Sequence, residues 1–227
     1  MLTKSEPITR RHCTSREASG VACEERAEGE AGSKTVISGY AAVFYDGTPG
    51  TEYELVPGVA ERIMPGAFSQ ALRSDVRGLF THAPTNVLGR TEAGTMRLSV
   101  TKRGLRYTID PPDTQMARDL MTSIRRGDVS GSSFGFRVTE EEWVRDGDQE
   151  IVEIRGVQLH DVGPVTFPAY RATDSEIAEV RRYVEHHRKA LLDLEWRAGM
   201  SGTPFSEQRI RVAGLEQDQL TRRVLGH

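Results

Sequence analysis

Hydrophobic and polar positions divide the chain into stretches of different period. Residues 1 to about 32 are polar and Glu/Arg-rich with no sustained repeat, so they read as an arm that supplies one edge strand near Val21–Glu25. From Thr35 to Phe44, β-branched and aromatic residues run together and predict a strand, which Asp46-Gly47-Thr48-Pro49-Gly50 breaks. Further strands are predicted at Tyr53–Val56, Leu79–His82, Met96–Val100 and Gly104–Ile109. A short helix is predicted from Pro65 to Leu72, with proline in the first turn, where its missing N–H costs nothing. Met116, Leu120 and Ile124 recur at four-residue spacing and mark a second helix. Asp113 or Thr114 can cap it, and Gly127 ends it behind two arginines that suit the negative end of the helix dipole. A strand follows over Val129–Val138, with a hairpin partner at Ile151–Ile154 across the polar turn Arg145–Asp148. Val157–Val162 and Val165–Phe167 complete the β material.

After Ala172 the period changes. Thr173 or Asp174 can cap a long helix reaching about Ala198, with Gly199 as its stop. Ile177, Val180, Val184, His187, Leu191 and Leu194 alternate steps of three and four, which is a heptad seam. Residues 200–227 are polar and basic with one short amphipathic stretch. These patterns predict a β-rich core carrying a few helices, followed by a helical tail.

Composition narrows the functional classes. The 227 residues are 37% hydrophobic and 28% charged, ordinary for a globular chain, and the net charge of −3 gives no global field toward nucleic acid or anionic membrane. No apolar run approaches the roughly 20 residues that cross a bilayer. The basic N-terminus lacks a following apolar segment, so no secretory signal is expected and the chain reads as intracellular. Cys13 and Cys23 do not form a C-x-x-C pair and no second Cys/His pair answers them; two reduced thiols are expected. There is no phosphate-binding glycine loop, and the scattered arginines lack an aromatic platform.

Candidate chemistry concentrates in Ser130-Gly131-Ser132-Ser133-Phe134-Gly135-Phe136. Strand alternation sends Ser132, Phe134, Phe136 and Val138 to one face and Gly131, Ser133, Gly135 and Arg137 to the other. The phenylalanines anchor the core face. Ser133 points the other way as a surface-facing hydroxyl, between two glycines that leave room for a substrate backbone. A nucleophilic serine needs a base, and the base needs an orienting group. Among six histidines only His82 and His160 fall inside the β-rich core. His82 closes a predicted strand just before Ala83-Pro84, where it can reach into a cleft. Asp161 alternates with Leu159 and is expected to point inward, where a carboxylate needs a partner such as histidine; His160 is expected on the opposite, exposed face. A metal site from His82, His160 and Asp161 has no supporting H-E-x-x-H or similar local pair.

In order along the chain, several blocks resemble the prohead protease family of tailed phages. They are Ile37–Phe44; Glu61-Arg62-Ile63-Met64-Pro65-Gly66-Ala67-Phe68; His82 through Leu88-Gly89-Arg90 with Gly94-Thr95-Met96-Arg97-Leu98; Ser130–Phe136; and Asp161-Val162-Gly163-Pro164-Val165-Thr166-Phe167-Pro168-Ala169-Tyr170. The likeness covers about residues 33–175. It implies a serine endopeptidase with Ser133 as nucleophile, His82 as base and Asp161 as the acidic third member. It also implies a β-barrel ringed by helices, similar to the herpesvirus assembly proteases, and no cofactor. Gly163 departs from the family's more usual serine, and Ser132 places a second hydroxyl beside the nucleophile. Oxyanion donors are left open among backbone N–H groups near Ser133, Arg90 and Arg137. The expected organisation is a polar arm (1–32), a serine protease domain (33–175) and a helical tail (176–227).

The implied substrates are the scaffold segment of the major capsid protein and the protease itself, inside the prohead in the host cytoplasm. A homo-oligomer is possible through the tail; nucleic acid and membrane are not expected partners. The rival reading is an inactive scaffold or capsid-interaction protein, which would be expected to have lost Ser133, His82 or Asp161; all three are present.

Overall fold

A computed structural model describes residues 9–12, 20–27, 33–48, 50–147, 149–167, 184–185, 189 and 210–213. Its organising element is one long hairpin. Strand β10 (Gly131–Asp146) pairs antiparallel with β11 (Gln149–Val165) along nearly its whole length. Each outer edge of this hairpin receives two short strands. On the β11 side, β5 (Val59–Ile63) runs parallel to Glu150–Ile154, and β6 (Arg77–Leu79) runs parallel to Asp161–Val162. Strands β4 (Glu52–Val56) and β7 (Val87–Arg90) extend those two. On the β10 side, β1 (Thr9–His12) pairs with Ser133–Phe136, and β12 (Ile210–Ala213) pairs with Glu140–Trp143, both antiparallel.

A second, antiparallel sheet has the order β2 (Ala22–Ala27), β3 (Ser33–Val43), β9 (Gly104–Ile109), β8 (Met96–Val100). Ile37, Tyr107 and Ile109 from this sheet share one core with Phe134, Phe136, Ile154 and Val162 from the larger one. Aromatic rings form a chain through that core: Phe44 to Phe68 at 6.0 Å, Phe68 to Phe134 at 5.6 Å edge-on, and Phe134 stacked on Phe136 at 4.4 Å. Helix α1 (Gln115–Arg126) buries Ala117, Leu120 and Ile124. The Thr114 hydroxyl accepts from the Ala117 N–H at its start, and Gly127 closes it in the left-handed conformation with φ 84°. Cys23 lies on β2 against this helix, where its thiol meets the Met121 carbonyl at 3.7 Å and burial raises its pKa.

Several expectations change. The described strands form two sheets and not one closed barrel, and among the described residues α1 is the one multi-turn α-helix where a ring was expected. The chain from Pro65 to Leu72 makes turns leading into a short 3-10 turn at Ala71–Arg73, not a helix. Strand β10 runs eight residues beyond Val138, through Glu140-Glu141-Glu142, because those charges have partners. Trp143 Nε1 donates to Glu141 at 3.2 Å, and Arg155 lies 2.9 Å from Glu142. The three predicted strands between Ile151 and Phe167 are one continuous strand that stops at Val165. Most of the expected tail helix lies outside the described residues. Val184 and Glu185 are helical, and Val184, 1% exposed, belongs to the hydrophobic core. Further on, Ile210–Ala213 is a strand.

Candidate active site

The site is built where β6, β10 and β11 lie side by side. On β10 the alternation is as the sequence predicts. Ser132 turns inward with Phe134 and Phe136, and its Oγ meets Tyr107 Oη at 2.8 Å. Gly39 lets this pair approach, since a Cβ there would lie 2.7 Å from the Tyr107 hydroxyl. Ser133 turns to the opposite face, where its Oγ lies 2.7 Å from Nε2 of His82. Ser133 is nonetheless 0% exposed, which corrects the expectation of a surface-facing hydroxyl.

His82 does not sit on a strand. Strand β6 stops at Leu79, and Thr81 and His82 both adopt left-handed backbone, with φ 52° and 56°. Two consecutive non-glycine residues in that region cost roughly 1–2 kcal/mol each, a strain typical of functional turns. The turn is held from both sides. Thr81 N–H donates to the Pro164 carbonyl of β11 at 3.0 Å, and Phe80 N–H donates to the Asn86 carbonyl at 3.1 Å. Thus the parallel pairing of β6 with β11 carries the chain to the face of Ser133, and the turn delivers the ring.

Asp161 reaches the same ring by an irregularity in β11. Leu159 lies opposite Phe136, but Asp161 lies opposite Gly135, so His160 is the extra residue of a β-bulge. The bulge reverses the alternation: Leu159 and Val162 both join the core, while Asp161 turns to the face of Ser133. Asp161 therefore has its histidine partner, as expected, but not by sharing a face with Leu159. Its Oδ1 is 2.5 Å from Nδ1 of His82. His160 is half-buried on the bulge and outside this group.

Glycines make the convergence possible. The carboxylate of Asp161 fills the space beside Gly135, so that glycine makes room for Asp161 and not for substrate. Gly163, directly opposite Ser133 in register, packs against β6: a Cβ there would lie 2.0 Å from the Leu79 carbonyl oxygen. Arg90 is committed elsewhere. Its Nε and Nη2 donate to the two oxygens of Asp75 at 2.8 and 2.6 Å, and Nη2 also meets Glu92. Arg137 is exposed on β10.

With the imidazole neutral and its proton on Nδ1, the ring donates to Asp161 and accepts from the Ser133 hydroxyl. His82 is 8% and Asp161 6% exposed, so the whole line is shielded from water. Among the described residues no cluster of three or more His, Cys, Asp and Glu is arranged to hold a metal ion, and no described helix is long and apolar enough to cross a membrane.

A serine hydroxyl, an imidazole and a carboxylate in one hydrogen-bonded line are the geometry of a serine hydrolase. Residues 22–190 match the sequence model of the caudovirus prohead serine protease family. The chain belongs to that family, whose members are phage capsid-maturation proteases. No match was found among curated proteins or among solved structures.

Proposed function

We propose that the chain is a serine endopeptidase that cleaves the scaffold segment of the major capsid protein, and itself, inside the prohead in the host cytoplasm. The observation that carries this reading is the line Asp161–His82–Ser133, at 2.5 and 2.7 Å, in a member of a prohead serine protease family. In this reading Ser133 Oγ attacks the scissile carbonyl carbon while His82 Nε2 takes its proton. His82 then passes that proton to the leaving amine, and water, deprotonated by the same nitrogen, hydrolyses the acyl-enzyme. Asp161 keeps the ring in the Nδ1–H tautomer and stabilises the imidazolium. Arg90, held by Asp75, is a poor oxyanion donor, which favours backbone N–H groups near Ser133. An inactive scaffold protein has no need of a strained turn and a bulge that converge on one serine, so the enzyme is the better reading.

The test is co-expression with the neighbouring capsid gene. The wild-type chain should yield a shortened capsid protein by intact mass, and Ser133→Ala should leave it full-length. Identical capsid masses with both chains would remove the endopeptidase reading.

A further inference from the structure

The hydroxyl proposed to attack the substrate is fully buried, and the protein's own N-terminal segment pairs with the strand that carries it. Ser133 is fully buried. On one side β10 is paired with β11, where Gly163 faces Ser133 in register. On the face of Ser133 lies the His82 ring at 2.7 Å, and on the other face Ser132, Phe134 and Phe136 enter the core. A further side is the outer edge of β10. Thr9–His12 occupies that edge as an antiparallel strand in the register Thr9–Phe136, Arg10–Gly135, Arg11–Phe134 and His12–Ser133.

A sheet edge recognises backbone, not sequence, and so accepts any extended peptide that can complete its ladder. This edge behaves that way twice. Seven residues from the start of the first pairing the same edge takes a second strand, Ile210–Ala213, from the far end of the sequence. The two strands share direction but not residue pattern. Beside Ser133, such an edge can hold an extended polypeptide next to the serine.

We propose that Thr9–His12 is an autoinhibitory strand: it holds the acceptor edge beside Ser133 in the manner of a substrate and keeps the nucleophile closed until it is displaced or removed. This rests on the reading of Ser133 as the nucleophile. The partner that competes for the edge is an extended polypeptide segment, bound through its backbone.

The test uses the full-length chain with Arg10→Pro/Arg11→Pro. Adjacent prolines remove two N–H donors, one of which must face β10 in an antiparallel ladder. Edge occupancy is read by hydrogen exchange at the amides of residues 133–136, in a Ser133→Ala background that prevents self-cleavage. Access to the nucleophile is read by the rate at which a fluorophosphonate probe labels Ser133 in the otherwise wild-type chain. Exchange across β11 and β5 serves as the folding control. The double proline should speed exchange at 133–136 and raise the labelling rate at least tenfold. A synthetic peptide of residues 1–19, added in excess, should bring labelling back toward the wild-type rate. Unchanged exchange would mean the arm does not hold this edge, and faster exchange with unchanged labelling would mean it does not shield the serine; either overturns the proposal. If neither chain labels at Ser133 while exchange rises, the nucleophile assignment itself fails, and the inhibitory role falls with it although the edge pairing stands.

Discussion

A Cβ atom on Gly135 would lie 2.3 Å from Oδ2 of Asp161, so the carboxylate occupies the space a side chain at that position would need. The same carboxylate holds His82 through its other oxygen. Gly135→Ala should therefore push Asp161, and with it the imidazole, away from Ser133. Capsid-protein cleavage should fall about 100-fold, the scale of an ångström-level misplacement of a catalytic group. Overpacking the hairpin should cost about 1–3 kcal/mol in denaturant melts. Adding Asp161→Asn to Gly135→Ala should cost less than it does alone, because both act through one ring. A Gly135→Ala enzyme that cleaves at the wild-type rate would break this link between the two residues.

Ser132 and Ser133 are adjacent, buried and bound to different partners, which gives opposite expectations for the two alanine variants. Ser132→Ala leaves the buried Tyr107 hydroxyl without that contact and should destabilise by about 1–3 kcal/mol while most cleavage survives. Ser133→Ala should abolish cleavage, and its stability should change less, since the His82 ring keeps Asp161. Thermal melts and capsid cleavage, run side by side on both proteins, check the contrast. An inactive Ser132→Ala beside an active Ser133→Ala would shift the nucleophile by one residue.

The sequence made Ser133 legible because strand alternation held through Ser132, Phe134 and Phe136. Thr114 and Gly127 were equally readable, since caps depend on local chemistry. The bulge at His160 overturns the shared face of Leu159 and Asp161: alternation breaks where one strand carries an extra residue, and nothing in Leu159-His160-Asp161 announces that. His82 is read from the sequence as the end of a strand, because the left-handed turn at Thr81 and His82 depends on the long-range bond from Thr81 N–H to Pro164, which the local sequence does not show. Glu140–Glu142 hid the second half of β10, since its buried charges are matched by Trp143 and by Arg155, a residue on another strand. Val59–Ile63 is a strand that the pattern of hydrophobic and polar positions does not predict.

Arg90 provides a pH test that separates structural from catalytic roles. Hydrogen bonds from Arg90, followed by the charges of Arg77 and Arg90, hold the Asp75 carboxyl below its ordinary value of 3.8. A carboxyl whose folded-state pKa is depressed contributes stability above its unfolded value and loses it as pH falls through the folded value. Arg90→Ala should therefore melt slightly lower than wild type near neutral pH, and the two curves should converge below pH 3.8. Both groups are partly exposed, so the gap should be small and should shrink with salt. Capsid cleavage should stay within a few-fold of wild type. A loss of cleavage rate with unchanged melting would instead identify Arg90 as a group acting on the substrate.

Val184 decides what the tail does. It sits on the predicted heptad seam, yet it is 1% exposed and part of the hydrophobic core of the sheets. Ile210–Ala213, further along, adds a strand to β10 at Glu140–Trp143. These two anchors predict a tail that is part of the folded unit. Val184→Ala should cost about 2 kcal/mol from lost burial. Val184→Asp should cost more, because a carboxylate without a partner enters an apolar site. Removing residues 176–227 takes both anchors away, exposing the core facing Val184 and the β10 edge at Glu140–Trp143. The truncated chain should melt earlier and aggregate, and its activity on a free peptide should fall with its folded fraction. A tail that served only to carry the enzyme into proheads would give the opposite outcome: a truncated chain with unchanged melting and full peptidase activity that fails only to enter proheads. Melting, peptidase rate and prohead content measured on the same truncation separate the two, and unchanged melting would end the structural account of the tail.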